Sequence, residues 1–378
     1  MSTTELEKKI AGILATADIQ INGSRPWDPQ IHNRNFYNRV LSQGSLGIGE
    51  SYMDGWWDCK EIDQLVFKAL RGGLDKKFRG ALNIKIIWHV LRAILFNLQT
   101  RSRAYEVAEV HYDIGNDLYE KMLGPTMSYT CAYWKNAKNL EEAENAKFDL
   151  VCRKLGLKKG QHILDVGCGF GTFAEYAAKN YGVSVVAVTI AKEQALYAKE
   201  RVKNLPIEVR CEDYRQISGT FDHIISIGLM EHIGYKNYRP FMKQMQGMLK
   251  DGGYFLVHFI GQNKSRVVND PWLNKYIFPN AMAPSAKQIA TAIEGLFILE
   301  DWHTLPATDY YKTLMAWHHN FVKNWPTLKD HYGGERFYRM WTYGLLSGAG
   351  AHLSGTKVAL WQIVLSKSGT PSGYESVR

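Results

Sequence analysis

The chain has 378 residues, 46% of them hydrophobic and 12% aromatic, enough to fill one large core or two smaller ones, which excludes a disordered or low-complexity chain. Its 46 Lys and Arg outnumber 37 Asp and Glu for a net charge of +9, which favours an anionic partner and leaves open whether that is a phospholipid, a nucleic acid or a small acid. Five cysteines, at 59, 131, 152, 168 and 211, form no C-x-x-C pair and are odd in number, the usage of a reducing compartment rather than a disulfide scaffold.

Residues 1–20 lack the basic start, apolar run and small-residue cleavage site of a secretory leader, and no segment approaches about 18 uninterrupted apolar residues. The expectation is a cytoplasmic, soluble protein that touches membranes only from outside. Residues 1–70 read as small helices broken by turns at Arg25-Pro26-Trp27-Asp28-Pro29 and Gly44-Ser45-Leu46-Gly47, with Trp56-Trp57 as a packed corner, core rather than ligand box. From Lys68 to Arg103, nine basic residues stand against one acid, Asp75, so nearly all the net charge is here. Ile84, Ile86, Ile87, Trp88, Ile94 and Leu95 thread through it as a broad apolar surface. A basic helix with such a face suits an anionic bilayer, each Lys or Arg contributing about 1 kcal/mol near such lipids. A solvated basic face on a helix packed against the next domain fits equally well. The pattern changes after Arg103, dividing the chain into a helical, basic, lipid-binding domain (1–103) and a catalytic domain (104–378).

Residues 105–150 hold two stretches, 106–117 and 128–134, dense in aromatic and polar groups without a clear period, as in an active-site lid. Leu140, Ala143, Ala146, Lys147 and Leu150 then recur at helical spacing over 141–155. Strand-like runs follow at 162–166, 183–188, 207–211, 223–226 and 254–259, the first four each trailed by a helix-like segment. This alternation predicts an α/β fold with a doubly wound parallel sheet and helices on both faces. Ligands of such sheets gather at the carboxyl ends of the strands. Those ends carry Gly167, Gly169 and Gly171, then Thr189, Glu212-Asp213-Tyr214, Met230-Glu231, and His258 with Ile260.

The first strand runs straight into a glycine turn and a helix, Ile163-Leu164-Asp165-Val166-Gly167-Cys168-Gly169-Phe170-Gly171-Thr172. Glycine there lets the backbone adopt φ > 0 and approach a ligand that a Cβ would exclude, while the helix aims free N–H groups at it. Dinucleotide folds carry a similar turn; Asp165 just before it shifts the reading toward S-adenosylmethionine. A Trp/Pro-rich excursion within 262–305 suggests an apolar substrate. Residues 298–302 return as a strand, a helix opens at Asp309, 358–365 has the length of a buried last strand, and the tail from Ser366 is polar.

Several longer motifs now combine. His111-Tyr112-Asp113-Ile114-Gly115-Asn116, the 128–134 stretch, Val188-Thr189-Ile190, Met230-Glu231-His232-Ile233-Gly234, Tyr276-Ile277-Phe278-Pro279 and Lys312-Thr313-Leu314-Met315-Ala316-Trp317 together resemble bacterial cyclopropane-fatty-acyl-phospholipid synthases. The resemblance covers essentially the whole chain and extends to the mycolic acid cyclopropane synthases, which generally lack so long an N-terminal extension. It implies a class I AdoMet-dependent methyltransferase fold with a small helical N-terminal domain. The implied reaction transfers a methylene group from S-adenosylmethionine to the cis double bond of an unsaturated phospholipid acyl chain. It also implies bound bicarbonate as the base, held by residues matching Cys131, Glu231, His258, the backbone at Ile260, and Tyr310. Glu231 and His258 are chemically suited to this, one sharing a proton with the anion and the other donating to it. Outside the motif context, His258 reads as a core histidine and Cys131 as a small buried hydrophobe, and Tyr310 is uncertain by one position because Tyr311 adjoins it.

For the cofactor the resemblance carries over Tyr129, Thr130, Asp165, the three turn glycines, Thr189, Gln194, Glu212, Asp213 and Tyr214. No metal is expected. The implied partner is anionic membrane phospholipid with unsaturated chains, reached by peripheral contact, with a homodimer expected and no nucleic acid. Two departures stand out. Strand two ends in Val188-Thr189-Ile190 where many class I enzymes place an acid for the ribose, so Gln194 takes that task, and Gly348 stands where close relatives often have a cysteine. Rival readings are a lipid methyltransferase stopping at a methyl branch, a small-amine N-methyltransferase, and a non-catalytic membrane-binding module. The Glu231 and His258 pair favours ring closure.

Overall fold

A computed structural model describes residues 3–77, 97, 99 and 115–378. The chain divides into two compact units, one of Met1–Phe96, Val267–Pro279 and Tyr310–Val358, the other of Asn97–Arg266, Asn280–Asp309 and Ala359–Arg378.

The second unit is built on seven strands: β1 His162–Val166, β2 Ser184–Thr189, β3 Ile207–Cys211, β4 His223–Ile227, β5 Tyr254–Gln262, β6 Ile298–Leu305 and β7 Val358–Ser366. Their spatial order is β3-β2-β1-β4-β5-β7-β6. The pairs among β1 to β5 are parallel, and β6 runs antiparallel to β7. Near-continuous apolar strands need cover on both faces, and the two-residue side-chain period divides them accordingly. Leu164, Val166, Val188 and Val257 enter one core, and Ile163, Val185, Ala187 and Leu256 the other. The strand order reverses between β1 and β4, which opens a crevice at their carboxyl ends.

The first unit packs helices Thr3–Ala15, Asn35–Gln43, Ser45–Met53 and Ile62–Arg71 with two later ones, Pro271–Tyr276 and Gly334–Leu353. The helical unit is therefore not an N-terminal block alone, as the division at 103/104 expected. Its short helices cannot bury their own aromatics; Trp272 and Tyr343 arrive from downstream, their rings 4.7 Å apart, and Tyr343 meets Tyr52 at 5.7 Å. Gly49 is required beneath Trp272, and Gly350 against the Asp63 carbonyl, because a Cβ at either position would overlap its neighbour. The Trp/Pro-rich excursion thus spends Trp272 on this core. Trp57 is buried in it too, its Nε1 donating to the Ile48 carbonyl and to Ser51 Oγ, both at 3.1 Å.

Most of the basic apolar stretch, and His111 to Ile114 of the first family motif, lie outside the described residues. Among the described residues no helix is long and apolar enough to cross a membrane, and no disulfide joins the cysteines.

Candidate active site

At the end of β1 the chain turns through Gly167, Gly169 and Gly171 at φ +82°, +54° and +77°. A Cβ added at Gly169 meets nothing within 4 Å, whereas one at Gly167 would press on Leu229 at 3.2 Å. The Gly169 backbone is consequently open to a ligand, and Gly171 leads into helix Thr172–Tyr181, whose N-terminal N–H groups face the same turn. Asp165 is buried, and burial alone pushes its carboxyl up to about 7.

Register aligns Val166 with Val188 and Thr189 with Cys211, so the ends of β2 and β3 adjoin the turn. Thr189 Oγ1 donates to Gln194 Oε1 at 3.0 Å, both residues buried, which fixes an amide where an acid would otherwise stand. Asp213 is committed to Arg215, accepting from its guanidinium at 2.8 Å and its backbone N–H at 2.9 Å. Glu212 Oε1 is buried without a hydrogen bond. Tyr214 packs edge-on against Phe241, and burial raises its phenol to about 12. This set suits a nucleoside: amide and carboxylate oxygens for hydroxyls, an aromatic edge, and an approachable backbone.

The second cluster lies at the ends of β4 and β5, where register sets Ile227 beside His258. Glu231 Oε1 accepts from the Ile260 N–H at 2.6 Å, while Oε2 is buried with no hydrogen-bond partner. Burial lifts this carboxyl to about 7, against the opposing pull of the Ile260 N–H. His258 is 1% exposed. The Gln362 amide nitrogen can only donate, so at 3.1 Å it makes His258 Nδ1 the acceptor and leaves the ring proton on Nε2. That Nε2 is buried without a partner. Burial first, then the positive fields of Lys147, Lys154 and His303, hold the imidazole down to about 3, so it is neutral at pH 7. One N–H donor and one carboxyl shared between protonation states therefore lack internal partners, a donor set that fits a small protonatable oxyanion. The Ile260 N–H, expected to touch that anion, is occupied in orienting Glu231. Cys131 is buried, its thiol donating to the Ala132 carbonyl at 3.2 Å. Tyr310 belongs to the helical unit, with its ring 4.3 Å from that of His352. Its neighbour Tyr311 donates to Asp63 Oδ2 at 3.0 Å, which distinguishes the two.

The stretch carrying Tyr129 and Thr130 is fastened rather than lid-like. Thr172 Oγ1 donates to the Thr126 carbonyl at 2.6 Å, and Thr126 Oγ1 donates to Glu144. Lys147 Nζ donates to Ser128 Oγ at 2.6 Å and Thr130 Oγ1 at 2.8 Å. A Cβ at Gly228 would come within 2.8 Å of Thr130 Cγ2, so Thr130 seats directly on the turn that leads to Glu231. Glu144 and Lys147 were legible only as helix positions; the available signal was a lysine on the apolar side of 141–155. Among the described residues no group of three or more His, Cys, Asp or Glu is placed to hold a metal ion.

Comparison with known proteins places the chain in a family. A family profile described as mycolic acid cyclopropane synthetase matches residues 99–363. The chain belongs to that family. The cyclopropane-fatty-acyl-phospholipid synthase of Escherichia coli K12 is 48% identical over 366 residues, covering 97% of this chain and 94% of that protein. Sphingolipid C9-methyltransferase A of Emericella nidulans is 31% identical over 369 residues, covering 91% and 70%. Among solved structures, a cyclopropane synthase of Mycobacterium tuberculosis superposes with TM-score 0.65 at 26% identity, covering 72% of this chain and 100% of that one. A mycolic acid cyclopropane synthase complexed with SAH and CTAB gives 0.64 at 28%, covering 70% and 98%. The family member described here is an AdoMet-dependent methyltransferase with the class I fold.

Proposed function

We propose that this enzyme transfers a methylene group from S-adenosylmethionine to the cis double bond of unsaturated phospholipid acyl chains, forming a cyclopropane ring, with bound bicarbonate as the base. The observation that carries the reading is the pair of buried polar atoms without partners, Glu231 Oε2 and His258 Nε2. S-adenosylmethionine supplies an electrophilic methyl group; the turn glycines, Thr189, Gln194 and Glu212 are the groups of this chain suited to hold it. An alkene is a weak nucleophile and becomes a carbocation on methylation, so the protein must exclude water and place a base at the new methyl group. His258 Nε2 would hold the anion by one hydrogen bond, and Glu231, whose carboxyl lies near 7, is able to hold or release a proton beside it at physiological pH. Cys131 joins the anion site on its motif.

The reading extends to a basic, lipid-binding role for residues 1–103, a cytoplasmic enzyme working peripherally at an anionic membrane, and a homodimer. The ring-forming reaction is supported by the two partnerless groups and by the 48% identical relative. The enzyme incubated with methyl-labelled S-adenosylmethionine and phospholipid vesicles bearing cis-unsaturated chains is expected to yield labelled lipid heavier by one CH₂ with the double bond consumed. A product that keeps a double bond, or carries a methyl branch, refutes ring formation; label in protein or nucleic acid refutes the lipid substrate. Reversing Lys77, Lys85 and Arg92 to Glu should weaken vesicle binding at unchanged cofactor affinity, and unchanged vesicle binding would show the basic face to be solvated surface only.

A further inference from the structure

Lys147 is sealed inside the catalytic unit: it is fully buried, on the helix Leu140–Leu155, with its Nζ between two hydroxyls, and with its pKa lowered by burial only to about 8 it is predominantly an ammonium at pH 7. Burying an ammonium is expensive unless its hydrogen bonds are used, and the mechanism proposed above gives it no task. Burial lowers its pKa, while Glu144 and Cys131 oppose that shift.

A count of protons shows what it does. Ser128 Oγ and Thr130 Oγ1 each accept from Lys147, and they lie 3.1 Å from each other. An ammonium cannot accept, so neither hydroxyl can send its proton back to Lys147. One hydroxyl proton bridges the two oxygens, and the other must point out of the triad. Either hydroxyl can donate that bridging proton; because Thr130 is the more exposed of the two, the arrangement with Ser128 as the bridging donor is the one that leaves an O–H on Thr130 to offer to a ligand. The Thr130 oxygen then accepts twice, once from a cation, which polarises its own O–H into a stronger donor. Thr130 seats on Gly228 at the end of β4, beside the glycine turn. What a fixed, cation-backed O–H at that place recognises is an anionic oxygen.

We propose that Lys147 is a positioning residue for the cofactor: it aims and polarises the Thr130 hydroxyl as a hydrogen-bond donor to the carboxylate of the methionine moiety. The proposal rests on the S-adenosylmethionine reading and adds to it a residue that acts through another side chain.

The test is calorimetric binding of two ligands that share the adenosine and the sulfur, S-adenosylhomocysteine with the carboxylate and 5′-methylthioadenosine without it. Lys147→Met is expected to weaken S-adenosylhomocysteine about tenfold to a hundredfold, the scale of one charge-assisted hydrogen bond, while methylthioadenosine affinity changes less than twofold. Thr130→Val, which keeps the shape and leaves the buried cation bound to Ser128, is expected to show the same selective loss and keeps the proposal testable if Lys147→Met does not fold. Equal losses for both ligands, or no loss for either in Thr130→Val, overturn the proposal and leave Lys147 a structural cation. Failure of the unmodified enzyme to bind either ligand overturns the cofactor reading instead.

Discussion

Asp165 offers a quantitative test of how the site stores free energy. Its carboxyl is 2% exposed and ionises near 7 in the folded chain against 3.8 for a solvated aspartate, with desolvation as the cause. A folded-state pKa raised above the unfolded one means that the native state holds its proton longer. The contribution is therefore intact below about pH 4 and is lost progressively as pH rises to about 7, beyond which the difference is constant. At 1.36 kcal/mol per unit, three units correspond to about 4 kcal/mol of instability at pH 8. Asp165→Asn preserves the shape and removes the titration. The stability difference between the D165N variant and the parent protein, measured by urea unfolding, is expected to be about 1 kcal/mol at pH 4.5, where the unfolded carboxyl is already mostly ionised, and to reach about 4 kcal/mol in favour of the variant at pH 8. Other buried acids, Glu231 included, titrate identically in both proteins and cancel. S-adenosylhomocysteine affinity should fall in the variant, so stability and binding move in opposite directions. A stability difference that is the same at pH 4.5 and pH 8 would show that Asp165 is ionised throughout, and the desolvation argument would be lost.

Three further outcomes follow from the geometry. His258→Gln should lower kcat by about 10²–10⁴ while S-adenosylhomocysteine affinity stays within twofold, because the imidazole serves the anion rather than the nucleoside; a parallel loss of affinity in calorimetry would contradict that. Gly49→Ala forces a methyl group into the Trp272 ring and should cost about 1–3 kcal/mol of stability by thermal unfolding; an unchanged Tm would mean the helical core is not packed as described. Gly348→Cys finds its Cβ at an ordinary 3.4 Å from Leu314, so folding and turnover should stay within twofold of the starting enzyme. A large rise in turnover would show that a thiol there is useful and its absence a defect.

Much of the architecture was legible because local physics dictates it. Val185-Val186-Ala187-Val188 has no polar face to offer water, so only a sheet covered on both sides accommodates it, and three glycines between a strand and a helix leave few alternatives to a ligand turn. The same local signals brought Glu231 and His258 to strand ends. Partnering is a different matter. That Gln362 sets the tautomer of His258 across 104 residues, and that the Ile260 N–H is used up by Glu231, depends on which backbones become neighbours.

By itself, then, the amino-acid order determined the sheet, its glycine turn and the residue types at the strand ends, since each follows from side-chain period, backbone freedom or charge within a short window. Tertiary structure alone decided that Lys147 is a buried cation rather than one more surface lysine, that the segment after Thr126 is bolted down rather than mobile cover, and that Trp272 and Tyr343 complete a helical core begun more than 200 residues earlier. Burial and hydrogen-bond satisfaction are properties of the assembled neighbourhood, and no window along the chain contains them.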